Sequence, residues 1–94
     1  LNFNELLRNN KAVVIDVRET GEQPLLTEFD HIQLPLSQLK DNIPDIENET
    51  VILFCQSGKR SREAARILSA SFGSAKKIYS LKGGIIHWKQ QQHG

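Results

Sequence analysis

The segment "CQSGKRS", residues 55–61, holds the only cysteine in the chain. It follows the apolar run "TVILF" and precedes the Arg/Ala-rich "SREAARIL". Such a run reads as a buried strand ending on Cys55, and the later stretch reads as a helix beginning near Ser61. In open α/β sheets, ligands sit outside the carboxyl ends of the strands, which is where this spacing puts the thiol. The free amides and positive dipole end of a helix N-terminus attract anions. Gly58 permits a backbone turn that points further N–H groups inward, and Lys59 and Arg60 add full charge. All of these features favour thiolate over thiol, and a free cysteine pKa of about 8.5 falls by several units in such surroundings. The predicted chemistry is therefore that of an activated sulfur nucleophile. The plainer alternative is an inert cysteine closing a core strand. Its polar, cationic C-terminal neighbours and its place at a strand end oppose that reading, and point to a shallow, open loop.

Placing such a thiol requires a sheet and a following helix, and the rest of the chain supplies candidates. "NFNELLRNN" sets Phe3, Leu6 and Leu7 at helical spacing, with Asn2 or Asn4 as cap. "AVVIDV" is a β-branched run suited to a parallel strand covered on both faces. "RETGEQPLLTEF" is polar, interrupted by Gly21 and Pro24, and reads as a loop. "HIQLPL" reads as a short edge strand because Pro35 cannot donate to a ladder. "SQLKDNIPDI" starts with Ser37 as a helix cap and is broken at Pro44. "SREAARILSASFG" puts Ala64, Ile67, Leu68 and Phe72 on one face and ends at Gly73. "KKIYSL" reads as another strand, and "KGGIIHWKQQQ" as a glycine turn and a last helix. Strands alternating with helices predict an α/β fold with parallel βαβ units.

A length of 94 residues bounds the chain to one domain, 1–94. A formal charge of +1 lacks the basic excess of a nucleic-acid or membrane-surface binder. One cysteine permits no internal disulfide, and no apolar run has the length of a membrane span, so a cytoplasmic setting is expected. The chain opens on leucine and has no methionine, which points to a domain excised from a longer protein.

Four segments, in order, resemble the rhodanese family of sulfurtransferases. "CQSGKRS" with its following helix is similar to the active-site loop. "VVIDVRE" resembles the family's N-terminal strand with its Asp-x-Arg turn. "FDHIQLPLSQL" resembles a shortened Gly-His-Ile-Pro-Gly-Ala segment, with Asp30 in place of the glycine and the Pro-Gly-Ala turn absent. "LKGGIIHW" resembles the Leu-x-Gly-Gly…Trp signature. The shortened segment also resembles rhodanese domains fused behind adenylyltransferases of molybdopterin or thiamine biosynthesis.

The resemblance implies a small central parallel sheet flanked by helices on both faces. It further implies a persulfide mechanism in which Cys55 takes sulfur from a donor such as thiosulfate or a persulfide and passes it to a small thiol or protein acceptor. Amides from Gln56, Ser57, Gly58, Lys59 and Arg60 would hold the transferred sulfur, Lys59 and Arg60 would hold an anionic donor, and no metal or organic cofactor would be needed. Ser61 would support the loop, while Asp16 and Arg18, at a strand's carboxyl end, read as a structural ion pair or as loop-bracing hydrogen bonds rather than as chemistry. Two other readings compete. Phosphatases and arsenate reductases of similar fold resemble a Cys-x5-Arg pattern, whereas Cys55 to Arg60 is Cys-x4-Arg, a smaller ring better matched to one sulfur than to a phosphoryl group. A non-catalytic interaction module with a vestigial loop is the third. His31 and His87 read as packing or capping residues, Trp88 as core, and Gly83–Gly84 as a turn. Arg62 and Arg66 read as a solvated helix face or a docking patch for an acidic partner.

Overall fold

A computed structural model of the chain describes residues 3–8, 11–23 and 26–93. Helix α1 (Phe3–Leu7) leads into strand β1 (Ala12–Asp16), then β2 (Ile32–Gln33), α2 (Leu36–Asp41), β3 (Thr50–Phe54), α3 (Lys59–Phe72), β4 (Lys77–Ser80) and α4 (Gly84–His93). A single turn of 3₁₀ helix over Gly73–Ala75 joins α3 to β4. The four strands form one sheet in the order β2-β1-β3-β4, with every neighbouring pair parallel. The expected α/β architecture is present, and Pro35 lies just beyond the edge strand β2, as its missing N–H requires.

Alternation along the central strands divides the core into two layers. Ile15, Val17, Val51 and Leu53 face α2 and α3, meeting Leu36, Leu39, Ala64 and Leu68. Val14, Ile52 and Phe54 face the other way, meeting Leu6 of α1, Leu26 and Ile85 of α4. Helices thus cover both faces, which is why β3 is buried along its whole length and reads as an unbroken apolar run. Full burial of each such side chain contributes about 1.5–3 kcal/mol, so this sheet centre anchors everything attached to its ends. The alternation also fixes Cys55: two residues beyond Leu53, it joins the layer beneath α3.

Three local expectations are corrected. Ser37 does not cap α2; Pro35 holds the cap position, and the Ser37 hydroxyl inside the first turn donates to Glu19 at 2.9 Å. Asn4 lies inside α1, where its Oδ1 accepts the Trp88 indole N–H at 3.0 Å. The other cap candidate, Asn2, lies outside the described residues, as does Pro24 of the predicted loop. Helix α3 starts at Lys59, two residues earlier than predicted, because Gly58 at φ +101° takes the N-cap position that a side-chain cap normally fills. Trp88 is 7% exposed and closes α4 onto α1, with edge contacts to Phe3 and Phe29.

Candidate active site

The loop between β3 and α3 wraps its backbone around one sulfur atom. Sγ of Cys55 accepts the Gly58 N–H at 3.0 Å and the Ser61 N–H at 3.4 Å. Ser61 Oγ lies 3.7 Å from Sγ and also contacts the Gly58 carbonyl at 3.2 Å and Ser80 Oγ at 2.7 Å. Burial pushes the thiol pKa up. The Ser61 amide and hydroxyl, with the Gly58 and Arg60 amides, outweigh that and leave it below the ordinary cysteine value. An inert core cysteine would show the burial without the donors.

The open, shallow setting expected of this loop is corrected: Cys55 is 0% exposed. Gly58 and Ser61 are buried with it, while Ser57 and Lys59 remain exposed above. The reason is the period-2 alternation that turns Cys55 into the α3-side layer, beneath its own loop.

The loop is held from below by the glycine turn before α4. The Ile85 and Ile86 amides donate to the Cys55 and Gln56 carbonyls at 3.0 and 3.3 Å. Those bonds commit the loop carbonyls outward and so free its N–H groups to face inward. They require very close approach: a Cβ on Gly84 would stand 2.2 Å from the Gln56 carbonyl oxygen, and one on Gly58 3.1 Å from the Gly83 amide. Gly83 and Gly84 are therefore a clamp on the loop.

Asp16 and Arg18 lie beside the same loop. The Arg18 guanidinium donates to Asp16 through Nε at 3.1 Å and Nη2 at 3.0 Å, with both side chains almost fully buried. Arg18 Nη1 continues to Gln56 Oε1 at 3.3 Å. Both expected roles are present: the two residues pair with each other, and Arg18 braces the loop residue that follows the cysteine. Arg60 does not stand free: its guanidinium grips Glu22 through two bonds of 2.5 and 2.8 Å. Lys59 is exposed on the rim. His31 lies apart from the sulfur, with Nδ1 3.2 Å from the Phe29 carbonyl and its ring against Phe29 and Phe54. A concavity of about 500 Å³ at α1, β4 and α4 is lined by Asn4, Tyr79, Ser80, His87 and Trp88, without Cys55.

Glu22, Ser80 and the two α4 amides were not singled out in the sequence. Ser80 had a signal, being the last residue of the strand beside β3, at the carboxyl edge where sites form. Glu22 had none, since it sits in an aperiodic polar loop.

Removing the Ser61 hydroxyl takes away one donor while leaving the amides. Ser61→Ala is expected to move the pH midpoint of Cys55 alkylation upward and to slow alkylation at neutral pH roughly tenfold, the scale of one hydrogen bond to a charged group. An unmoved midpoint, read from iodoacetamide kinetics across pH, would show that the hydroxyl contributes nothing to the thiolate.

A parallel α/β domain that holds one thiol in inward-facing amides at a strand-to-helix turn is defined by fold and site together. The chain belongs to the family described as "Rhodanese-like domain", whose model matches residues 2–91. Among solved structures, a rhodanese homologue from the extremely thermophilic bacterium Thermus thermophilus superposes with a TM-score of 0.71 at 29% identity, covering 90% of this chain and 94% of that one. A NAD-dependent persulfide reductase from A. fulgidus gives a TM-score of 0.66 at 30% identity, over 83% of this chain and 14% of that one. A tRNA uridine(34) hydroxylase from Synechocystis is 32% identical over 95 residues, covering 92% of this chain and 33% of the hydroxylase. The chain spans 48% and 61% of the length of two further curated relatives, from Synechocystis and Bacillus subtilis.

Among the described residues no group of three or more His, Cys, Asp or Glu could hold a metal ion, and no helix is long and apolar enough to cross a membrane.

Proposed function

We propose that this domain is a sulfurtransferase that carries sulfane sulfur on Cys55. The observation that carries this reading is the convergence of the Gly58 and Ser61 amides on a single buried sulfur. In the first step the Cys55 thiolate attacks the outer sulfur of a donor, thiosulfate or a persulfide. The donor's S–S bond breaks, sulfite or a thiolate leaves with the electron pair, and Cys55 becomes Cys–S–S⁻. In the second step a thiolate or cyanide attacks the terminal sulfur, and the Cys55 thiolate departs with the electrons of that bond. No external oxidant or reductant enters the balance. The loop amides stabilise the sulfur anion that exists before and after each transfer, as an oxyanion hole stabilises developing charge on oxygen.

The paired Arg60 favours this reading over phosphate-ester hydrolysis. A tetrahedral oxyanion needs a free guanidinium fork at the loop's end, and here Glu22 already occupies it. The test is intact-mass spectrometry of the protein after treatment with thiosulfate and, separately, with a persulfide of 2-mercaptoethanol. A gain of one sulfur atom in mass, removed again by cyanide, is expected. No sulfur gained from either donor would refute the proposal and favour a binding module.

A further inference from the structure

The Arg60–Glu22 pair stands at the first turn of α3, one residue before the Ser61 whose amide donates to Sγ. Glu22 is not a wandering surface acid. Its Oε2 accepts the Glu19 amide at 2.7 Å, and its own N–H donates back to the Glu19 carbonyl at 3.2 Å. This turn passes through Gly21 at φ +89°. The Glu19 carboxylate is tied in turn to Ser37 on α2 at 2.9 and 3.2 Å. The turn thus presents the Glu22 carboxylate to α3 as a fixed partner. Both side chains of the pair remain about one-third exposed, so an incoming ligand meets them directly.

The two guanidinium groups at the loop are already matched by carboxylates. Asp16 pairs with Arg18 and Glu22 with Arg60, which leaves the exposed lysines Lys59 and Lys82 as single point charges at the rim. With both guanidinium forks engaged, the site gives a dianion no bidentate partner and sets the carboxylate of Glu22 against it. A monoanion meets less of that repulsion, and a neutral molecule that presents only one sulfur to the amides avoids it.

We propose that Glu22 sets the charge class of the donor: by occupying the Arg60 fork it turns the site away from dianions such as thiosulfate and toward persulfides of weakly charged thiols. The identity of the donor rests on the sulfur-transfer reading; the charge selection at Sγ does not. The Arg60 fork holds the Glu22 carboxyl down to about 2, so the pair is intact throughout the neutral range.

Alkylation of Cys55 by iodoacetate and iodoacetamide tests the selection, because the two reagents share a mechanism and differ by one charge. In Glu22→Gln the iodoacetate-to-iodoacetamide rate ratio is expected to rise roughly fivefold to tenfold. The gain should shrink with added salt. Glu22→Asp, which keeps the charge, should stay near the wild-type ratio. A merely structural role would change both rates together and leave the ratio unmoved, and that result overturns the proposal, as does a ratio that falls. With donors, Glu22→Gln should raise kcat/KM for thiosulfate by a similar factor relative to the persulfide of 2-mercaptoethanol. Should no variant turn over either donor while the alkylation ratio still rises, the sulfur-transfer reading fails and the charge selection by Glu22 stands.

Discussion

Cys55→Ser is expected to abolish sulfur loading and to lower turnover of any sulfane donor by about four orders of magnitude or more, the scale seen when a covalent nucleophile is removed. The serine hydroxyl fits the same space and accepts the same two amides, so the fold should persist at a stability cost of about 1 kcal/mol. Its hydroxyl stays protonated at neutral pH, however, and oxygen cannot form the persulfide. Circular dichroism and a denaturant midpoint close to wild type, with no sulfur mass gained from thiosulfate or from a persulfide, is the predicted pair of results. Sulfur gained by the serine variant would place the carrier elsewhere and remove the basis for everything assigned to this loop.

Gly84→Ala carries the largest expected effect on stability. The added Cβ would lie 2.2 Å from the Gln56 carbonyl oxygen and 2.6 Å from the Ser57 amide nitrogen, both backbone atoms that cannot rotate aside. Gly84 also sits at φ +68°, where an L-residue costs about 1–2 kcal/mol. Overpacking adds about 1–3 kcal/mol more, giving a total of about 2–5 kcal/mol, a large fraction of the stability of a small domain. Relief requires α4 to lift off the loop, and the Ile85 and Ile86 amides would then release the Cys55 and Gln56 carbonyls. The thiolate should suffer with the fold: alkylation at neutral pH should slow at temperatures where the variant is still folded. A urea midpoint and an alkylation rate both equal to wild type would show that the clamp is dispensable. By contrast Gly73→Ala, where a Cβ meets nothing within 4 Å, shares the positive φ but not the collision. It is expected to cost only a conformational part and, with no neighbour to collide with, to leave the alkylation rate of Cys55 at the wild-type value.

The alternation of β-branched runs with amphipathic stretches was sufficient to read four strands and the helices between them from the sequence. Strand β3 was legible because a central parallel strand must be apolar on both faces, and only a run such as Val51–Phe54 satisfies that. The helix boundaries were less legible. Ser37 carries the composition of a cap but is drawn into the α2 turn by a carboxylate 18 residues away in sequence, a partner that no local pattern announces.

The site divides along the same line. A lone thiol at a strand end, a glycine, and a helix start were all local signals, so Cys55, Gly58 and Ser61 could be named before any coordinates. The turn at Asp16 and Arg18 was readable for the same reason, since the two residues are neighbours that bond to each other. What the sequence determined alone was therefore the sheet, its two covered faces and the position of the sulfur at the sheet's carboxyl edge. These follow from the periodicity of neighbouring residues. Only the tertiary structure decided that the sulfur lies buried beneath its loop, that Gly84 clamps the loop from α4, and that Arg60 is already matched by Glu22. The clamp and the ion pair join residues about 28 to 38 positions apart. Contacts at such separations depend on how the strands are ordered in the sheet and how closely two backbones approach, and neither leaves a period in the chain.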